Sequence, residues 1–226
     1  MALELEVLED AEAVAERGAL VVAAAAAAAI EERGCFTFAV SGGRTPWAML
    51  AALGDTLPWE RVTIFQVDER IAPDGHPDRN LTHLLESLPS GCTAGVRPMP
   101  VTASDLDRAA RDYAAGLPER LDLVHLGLGA DGHTASLVPG DPILEVTDRH
   151  VALTREYEGR RRMTLTFPAL DRARRIVWLV TGAEKAGALR SLLARDPAIP
   201  AARVRSGDAL VLADEGAANG ASSGSA

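Results

Sequence analysis

Aromatic side chains are scarce, at 4% of the residues, so Val, Leu, Ile and Ala must pack most of any core. Cysteine is nearly absent. Cys35 and Cys92 stand far apart and form no C-x-x-C pair, which argues against a zinc cluster and against a disulfide framework. Positive charge is in deficit: 23 Lys and Arg face 32 Asp and Glu, a net charge of -9. Broad binding to nucleic acid relies on cations displacing counterions and is not expected here. A single anionic small ligand is still within reach, because two or three local cations suffice for one phosphate. Long hydrophobic runs are missing as well. The most apolar stretch, Leu20 to Ile30, is mostly alanine and too short to span a bilayer. The opening Met-Ala-Leu-Glu-Leu-Glu carries acids where a secretory signal needs a basic patch. The expected setting is cytoplasmic, with neither membrane nor nucleic acid as partner.

What is present suits a globular α/β protein. The 226 residues are 47% hydrophobic and 24% charged, enough to build a real core. One domain is expected over residues 1–216. The stretch from Ala217 to Ala226 is of low complexity and is expected to be a disordered tail. Asp10 to Arg33 reads as a long Ala-rich helix stopped at Gly34. Strands are predicted at Phe36–Val40, Val62–Val67, Leu121–Leu126, Val151–Thr154, Arg175–Thr181 and Ala209–Ala213. Helices are predicted at Trp47–Leu53, Asn80–Leu88, Ser104–Ala115 and Ala183–Ala194, with Ser104 and Asp107 as a capping-box start for the third. Apolar strands alternating with helices imply a three-layer α/β/α, Rossmann-like fold around a mostly parallel, doubly wound sheet. In such sheets ligands sit outside the carboxyl ends of the strands. Four polar or glycine-rich clusters directly follow predicted strands: Ser41–Pro46, Asp68–Arg70, Gly127–His133 and Thr181–Lys185. They are expected to meet at one end of one sheet.

Each cluster has a chemical and a plain reading. Ser41-Gly42-Gly43-Arg44-Thr45-Pro46 joins a strand to a helix, and its glycines, hydroxyls and helix-start N–H groups could cradle a phosphate. It is neither a Walker loop nor a G-x-G-x-x-G fingerprint, and it could be an ordinary tight turn. Asp68, Glu69 and Arg70 could be a solvated strand end, or Arg70 could face an anion. Asp131-Gly132-His133 presents an acid and an imidazole inside a glycine-rich loop. Histidine titrates near neutrality and suits a general base, which an adjacent acid can orient. His76, His83, His125 and His150 have no such setting, and His125 is expected to pack within its strand. Lys185 falls in the first turn of a predicted helix, where a cation is unfavourable unless an anion is bound. Arg160-Arg161-Arg162 is the densest basic run; it is either a solvated loop or the source of one phosphate-binding arginine.

Taken together, these segments resemble the 6-phosphogluconolactonase family, whose superfamily also holds the glucosamine-6-phosphate deaminases. The resemblance rests on Ser41–Pro46, Asp68–Arg70 with Asn80, Leu126–Gly140, Arg162–Thr166 and Gly182–Ala186, in the family's order, with Asp214 and Ala217 also fitting. Arg44 and Val138 depart from it: a small hydroxyl residue is common at the first position and an aromatic at the second. The resemblance implies hydrolysis of 6-phospho-D-glucono-1,5-lactone to 6-phosphogluconate in the oxidative pentose phosphate pathway, without metal or cofactor. It implies His133 as the base, Asp131 as its orienting acid, and substrate binding by Ser41, Gly42, Gly43, Arg44, Thr45, Asp68, Arg70, Arg162 and Lys185. The expected partner is the small sugar-phosphate lactone, with the chain a monomer or weak homo-oligomer. Two alternatives stand beside it. An aminosugar-phosphate deaminase/isomerase would share the fold but places a glutamate after the histidine, where this chain has Val138. A non-enzymatic sugar-phosphate sensor would need a DNA-reading element, and no basic helix-turn-helix segment precedes Phe36.

Overall fold

A computed structural model of the protein describes residues 3–205 and 207–222. In chain order it contains β1 (Glu4–Leu8), α1 (Ala11–Arg33), β2 (Phe36–Val40), α2 (Arg44–Leu53), β3 (Val62–Gln66) and β4 (Asp68–Arg70). Then come α3 (Asn80–Ser87), β5 (Gly95–Arg97), α4 (Leu106–Ala115), β6 (Leu123–Gly127), β7 (Val151–Leu153) and β8 (Arg162–Leu165). The chain ends with α5 (Phe167–Leu170), β9 (Arg175–Val180), α6 (Ala186–Leu193), α7 (Pro200–Arg203), β10 (Ala209–Asp214) and α8 (Glu215–Ser222). The bounds of α1 follow from its caps. The Asp10 carboxylate accepts from the Ala13 N–H at 2.9 Å, and Gly34, at φ 78°, turns the chain out of the helix.

Seven strands form one sheet in the order β1-β10-β9-β6-β2-β3-β5, and every neighbouring pair is parallel. From β2 the chain runs outward to β3 and β5, then crosses back to β6 on the other side and continues to β9 and β10. The boundary between β2 and β6 is therefore the topological switch point of the sheet, where a crevice opens at the carboxyl ends. Both faces are covered. Phe36, Phe38 and Val40 pack with Val14 and Val22 of α1 and with Met49 and Leu50 of α2. Ala39, pointing the other way, joins the layer of Tyr113 from α4 and Leu189 from α6. This alternation on doubly buried strands explains their nearly continuous apolar sequences.

A second, antiparallel sheet of three strands, β4-β8-β7, lies beside the first. Val67 links the two: its N–H donates to Val40 in β2 at 3.0 Å, and its carbonyl accepts from Leu165 in β8 at 2.8 Å. The triplet Asp68–Arg70, for which a solvated strand end was one expectation, is thus a strand of its own with Asp68 and Glu69 buried. Other expectations also shift. The helix expected from Trp47 starts at Arg44, so half of the anticipated loop is its first turn. The cap of α4 is Asp105, which accepts from Arg108 at 2.9 Å, not Ser104 with Asp107. The helix expected over 183–194 opens as a 3₁₀ turn, Ala183–Lys185. The expected tail is helical as far as Ser222, and Ala217 is fully buried, because Asp214 accepts from the Ala217 N–H at 2.7 Å and starts α8. Residues 223–226 lie outside the described residues.

Glu69 joins β3, β4 and α3. Its side chain is fully buried and accepts from the amide of Gln66 and from the backbone N–H groups of Arg70, Asn80 and Leu81, at 2.7–2.9 Å. Two of these N–H groups are the first two of α3, which has no local side-chain cap. Arg79 Nε lies 3.0 Å from the same carboxylate as an ion pair. Removing Glu69 takes the acceptor from four donors and leaves Arg79 with the exposed Asp74 as its remaining carboxylate, at 3.0 Å. Glu69→Ala should therefore lower the unfolding free energy by about 3–5 kcal/mol, read from urea denaturation midpoints at neutral pH.

Candidate active site

The carboxyl ends of β2, β3, β6 and β9 surround one cavity of about 310 Å³. Every residue expected from the sequence to bind substrate lines it: Ser41 through Thr45 from the β2–α2 turn, Asp68 and Arg70 from β4, Arg162 from β8 and Lys185 before α6. His133 lines it as well, and Asp131 stands directly behind.

The His133 loop is shaped by its glycines. Gly129 passes so close that a Cβ there would overlap both the His133 ring and the Asp131 carboxylate. The loop is closed by a Gly129 N–H to His133 carbonyl bond of 2.8 Å. Asp131 Oδ1 takes the His133 backbone N–H at 3.1 Å and the ring Nδ1 at 2.6 Å. Partial burial pushes the Asp131 carboxyl up, but the His133 backbone N–H and the nearby imidazole outweigh this and hold it below the usual carboxylate range. An ionised Asp131 can only accept, so Nδ1 carries the proton and Nε2 is left as the basic nitrogen. Downstream, Ala135 lines the cavity at φ 51°. That conformation is costly for a residue with a Cβ, and it is secured by Thr134, whose hydroxyl donates to the Gly127 carbonyl at 2.9 Å.

The cationic side is built by strand register. Arg70 and Arg162 are cross-strand partners in the second sheet. Arg70 Nη1 donates to the Asp78 carbonyl at 2.9 Å and to Asn80 Oδ1 at 3.0 Å. Arg162, almost completely buried, bonds Glu158 at 3.0 Å and lies 4.9 Å above the centre of the Tyr157 ring. In both arginines Nε is buried without a hydrogen-bond partner. The three arginines of the basic run divide where the chain enters β8 at Arg162. Arg160 turns to Asp78 at 2.9 Å, Arg161 to the Thr154 carbonyl on the far side, and Arg162 alone to the cavity. Gly42 touches the Asn80 amide so closely that any side chain there would collide with it. Beyond it, Arg44 and Thr45 open α2 at the cavity wall, and backbone N–H groups in a helix's first turn have no intrahelical acceptor. Asp68 is buried, and Ser136 donates to it at 2.6 Å.

Thr181 and Glu184, both within the fourth expected cluster, line the cavity: Thr181 shares a 3.0 Å bond with Thr45, and Glu184 brings negative charge. Two residues went unmarked in the sequence: Glu158, which also lines the cavity, and Tyr157. Tyr157 sits against His133, Asp131 and Arg162. The available signal was Glu158-Gly159, a two-residue turn with both φ angles positive, 50° and 75°. Of the other histidines, His125 is completely buried behind Ser41, and burial pushes it down to about 3. Among the described residues, no group of three or more His, Cys, Asp or Glu could hold a metal ion.

Residues 9–212 match the family model described as glucosamine-6-phosphate isomerases/6-phosphogluconolactonase. A 6-phosphogluconolactonase from Synechocystis is 39% identical over 211 residues, covering 86% of each chain. A crystal structure of a 6-phosphogluconolactonase from Shewanella baltica superposes with a TM-score of 0.85 at 25% identity, covering 94% of this chain and 97% of that one. A monomeric glucosamine-6-phosphate deaminase superposes with a TM-score of 0.82 at 19% identity, covering 96% and 99%, a likeness of fold alone.

The depressed Asp131 carboxyl has a consequence for stability. Such a group contributes stability that is fully present above its unfolded-state pKa and is lost as pH falls through the lower folded value. Urea unfolding of wild type and Asp131→Asn should therefore differ at pH 7, with wild type the more stable. The gap should close as pH drops below about 4; a gap independent of pH would show that the charge contributes nothing.

Proposed function

The chain belongs to the family of glucosamine-6-phosphate isomerases and 6-phosphogluconolactonases, and from that premise we propose that it hydrolyses 6-phospho-D-glucono-1,5-lactone to 6-phosphogluconate. This is the second step of the oxidative pentose phosphate pathway. The observation that carries the reading is the union, in one cavity, of an acid-oriented imidazole with Arg70, Arg162, Lys185 and the start of α2.

The reaction follows from those groups without metal. His133 Nε2 accepts a proton from water as the oxygen attacks the lactone carbonyl, and Asp131 balances the imidazolium that forms. The resulting oxyanion needs hydrogen-bond donors, and backbone N–H groups of the glycine-rich turns that line the cavity are the candidates. On collapse the bond from C1 to the ring oxygen breaks. His133 returns its proton to that oxygen, which becomes the 5-hydroxyl, and the product acid ionises. The 6-phosphate is a dianion and belongs with the cations and the N–H groups of α2. The free oxygen of Asp68 suits a sugar hydroxyl. Deaminase chemistry is the poorer fit, since the position of its ring-opening glutamate is taken by Val138, which is buried.

Two variants test the assignment once the spontaneous opening of the lactone is subtracted. Wild type should accelerate hydrolysis after exhaustive chelation and release no ammonia from glucosamine 6-phosphate. His133→Asn should keep its fold and lose about 10²–10⁴ in kcat; near-normal turnover would remove His133 from the mechanism. Lys185→Ala should act on binding instead. One charge-assisted contact is worth about 1.5–3 kcal/mol, so kcat/KM for the phosphorylated lactone should fall about tenfold to a hundredfold, mostly through KM. Glucono-1,5-lactone, with no phosphate, should be hardly affected. Equal losses on both lactones would place Lys185 at the carbonyl or in the fold.

A further inference from the structure

We propose that Tyr157 is a positioning residue of this reaction, coupling the His133–Asp131 pair to the cation Arg162; the inference rests on the lactonase reading above. Asp131 Oδ1 is fully occupied by His133, and a carboxylate held at one oxygen can still rotate. Its Oδ2 accepts from the Tyr157 hydroxyl at 3.3 Å, so the plane of the carboxylate, and with it the ring it orients, is fixed at both ends. The Tyr157 ring also meets the His133 ring edge to face, with centroids 5.6 Å apart. Its face carries the Arg162 guanidinium at 4.9 Å. One side chain thus touches the acid, the base and a cation of the cavity.

The backbone holds this side chain deliberately. Tyr157 and Arg160 exchange backbone hydrogen bonds of 3.0 and 3.2 Å across the turn Glu158-Gly159. Glu158 tolerates φ 50° while its carboxylate bonds Arg162. Beyond the turn, Arg160 is clasped by Asp78 at 2.9 Å, and Arg70 donates to the carbonyl of that same Asp78. The titratable and charged groups facing Tyr157 are Asp131 and His133 from the loop after β6, Glu158 from its own turn and Arg162 from β8. Burial and the Asp131 charge hold the phenol above its ordinary range, so it remains an O–H donor.

Three measurements on purified wild type, Tyr157→Phe and Tyr157→Leu test this. Tyr157→Phe keeps the ring and loses the hydroxyl. For the phosphorylated lactone its kcat should fall about tenfold with KM unchanged. The acid limb of its pH–rate profile should move to higher pH, because an Asp131 relieved of one donor favours the imidazolium more strongly. Tyr157→Leu also loses the surface under Arg162, so its KM for the phosphorylated lactone should rise about threefold to tenfold, while its KM for glucono-1,5-lactone stays put. Thermal melts check that both variants are folded. An inactive wild type overturns the lactonase reading and this proposal with it. An active wild type overturns this proposal alone if Tyr157→Phe keeps its kcat, or loses kcat with an unmoved acid limb.

Discussion

The site depends first on one buried carboxylate. Glu69 has no water to solvate it, so the fold must supply donors, and it does so from β3, β4 and the start of α3 together. A fully desolvated charge tolerates little loss of geometry. Its neighbours in the chain therefore inherit fixed positions. Arg70 and Asp68 face the cavity from a strand whose middle residue is pinned, and Asn80 is held where it can bond Arg70 and the Asp68 carbonyl. The second sheet is thereby attached to the first at the crevice, with Val67 as the shared rung.

Around that anchor, the parallel sheet gathers chemistry by a general property of its topology. Every strand points its carboxyl end the same way, and every following helix offers its N–H groups there. In an acidic chain this concentrates positive potential in one opening, where it attracts an anion without making the whole surface basic. Glu158 and Glu184 at the rim temper the field. Glu158 in particular occupies Arg162 through a carboxylate that an incoming phosphate could replace in kind.

The fold does not choose the reaction. A deaminase shares this architecture at a TM-score of 0.82, so chemistry has to be argued from side chains. The narrow features that matter are the Asp131–His133 contact, made possible because Gly129 has no Cβ, and the apolar Val138 in place of a carboxylate. Both are legible as residues in the sequence, but the first acquires meaning only when the loop closes and the ring nitrogen lies 2.6 Å from the acid.

The sequence alone determined what short-range physics controls. Alternating apolar runs and helix caps marked most elements of the large sheet and its two helical layers, with α1 bounded by Asp10 and Gly34 within a residue. The rule that loops follow strand ends identified the cavity-lining clusters and His133. Tertiary structure decided what depends on partners distant in the chain. Glu69 caps a helix that begins eleven residues later, Tyr157 reaches an acid 26 residues away, and Arg162 rather than Arg160 or Arg161 enters the cavity because β8 pairs with β4 in one register. Hydrophobic period and capping leave a local trace in the sequence; a hydrogen bond between remote segments leaves none, because it exists only after the chain has brought both partners out of water together.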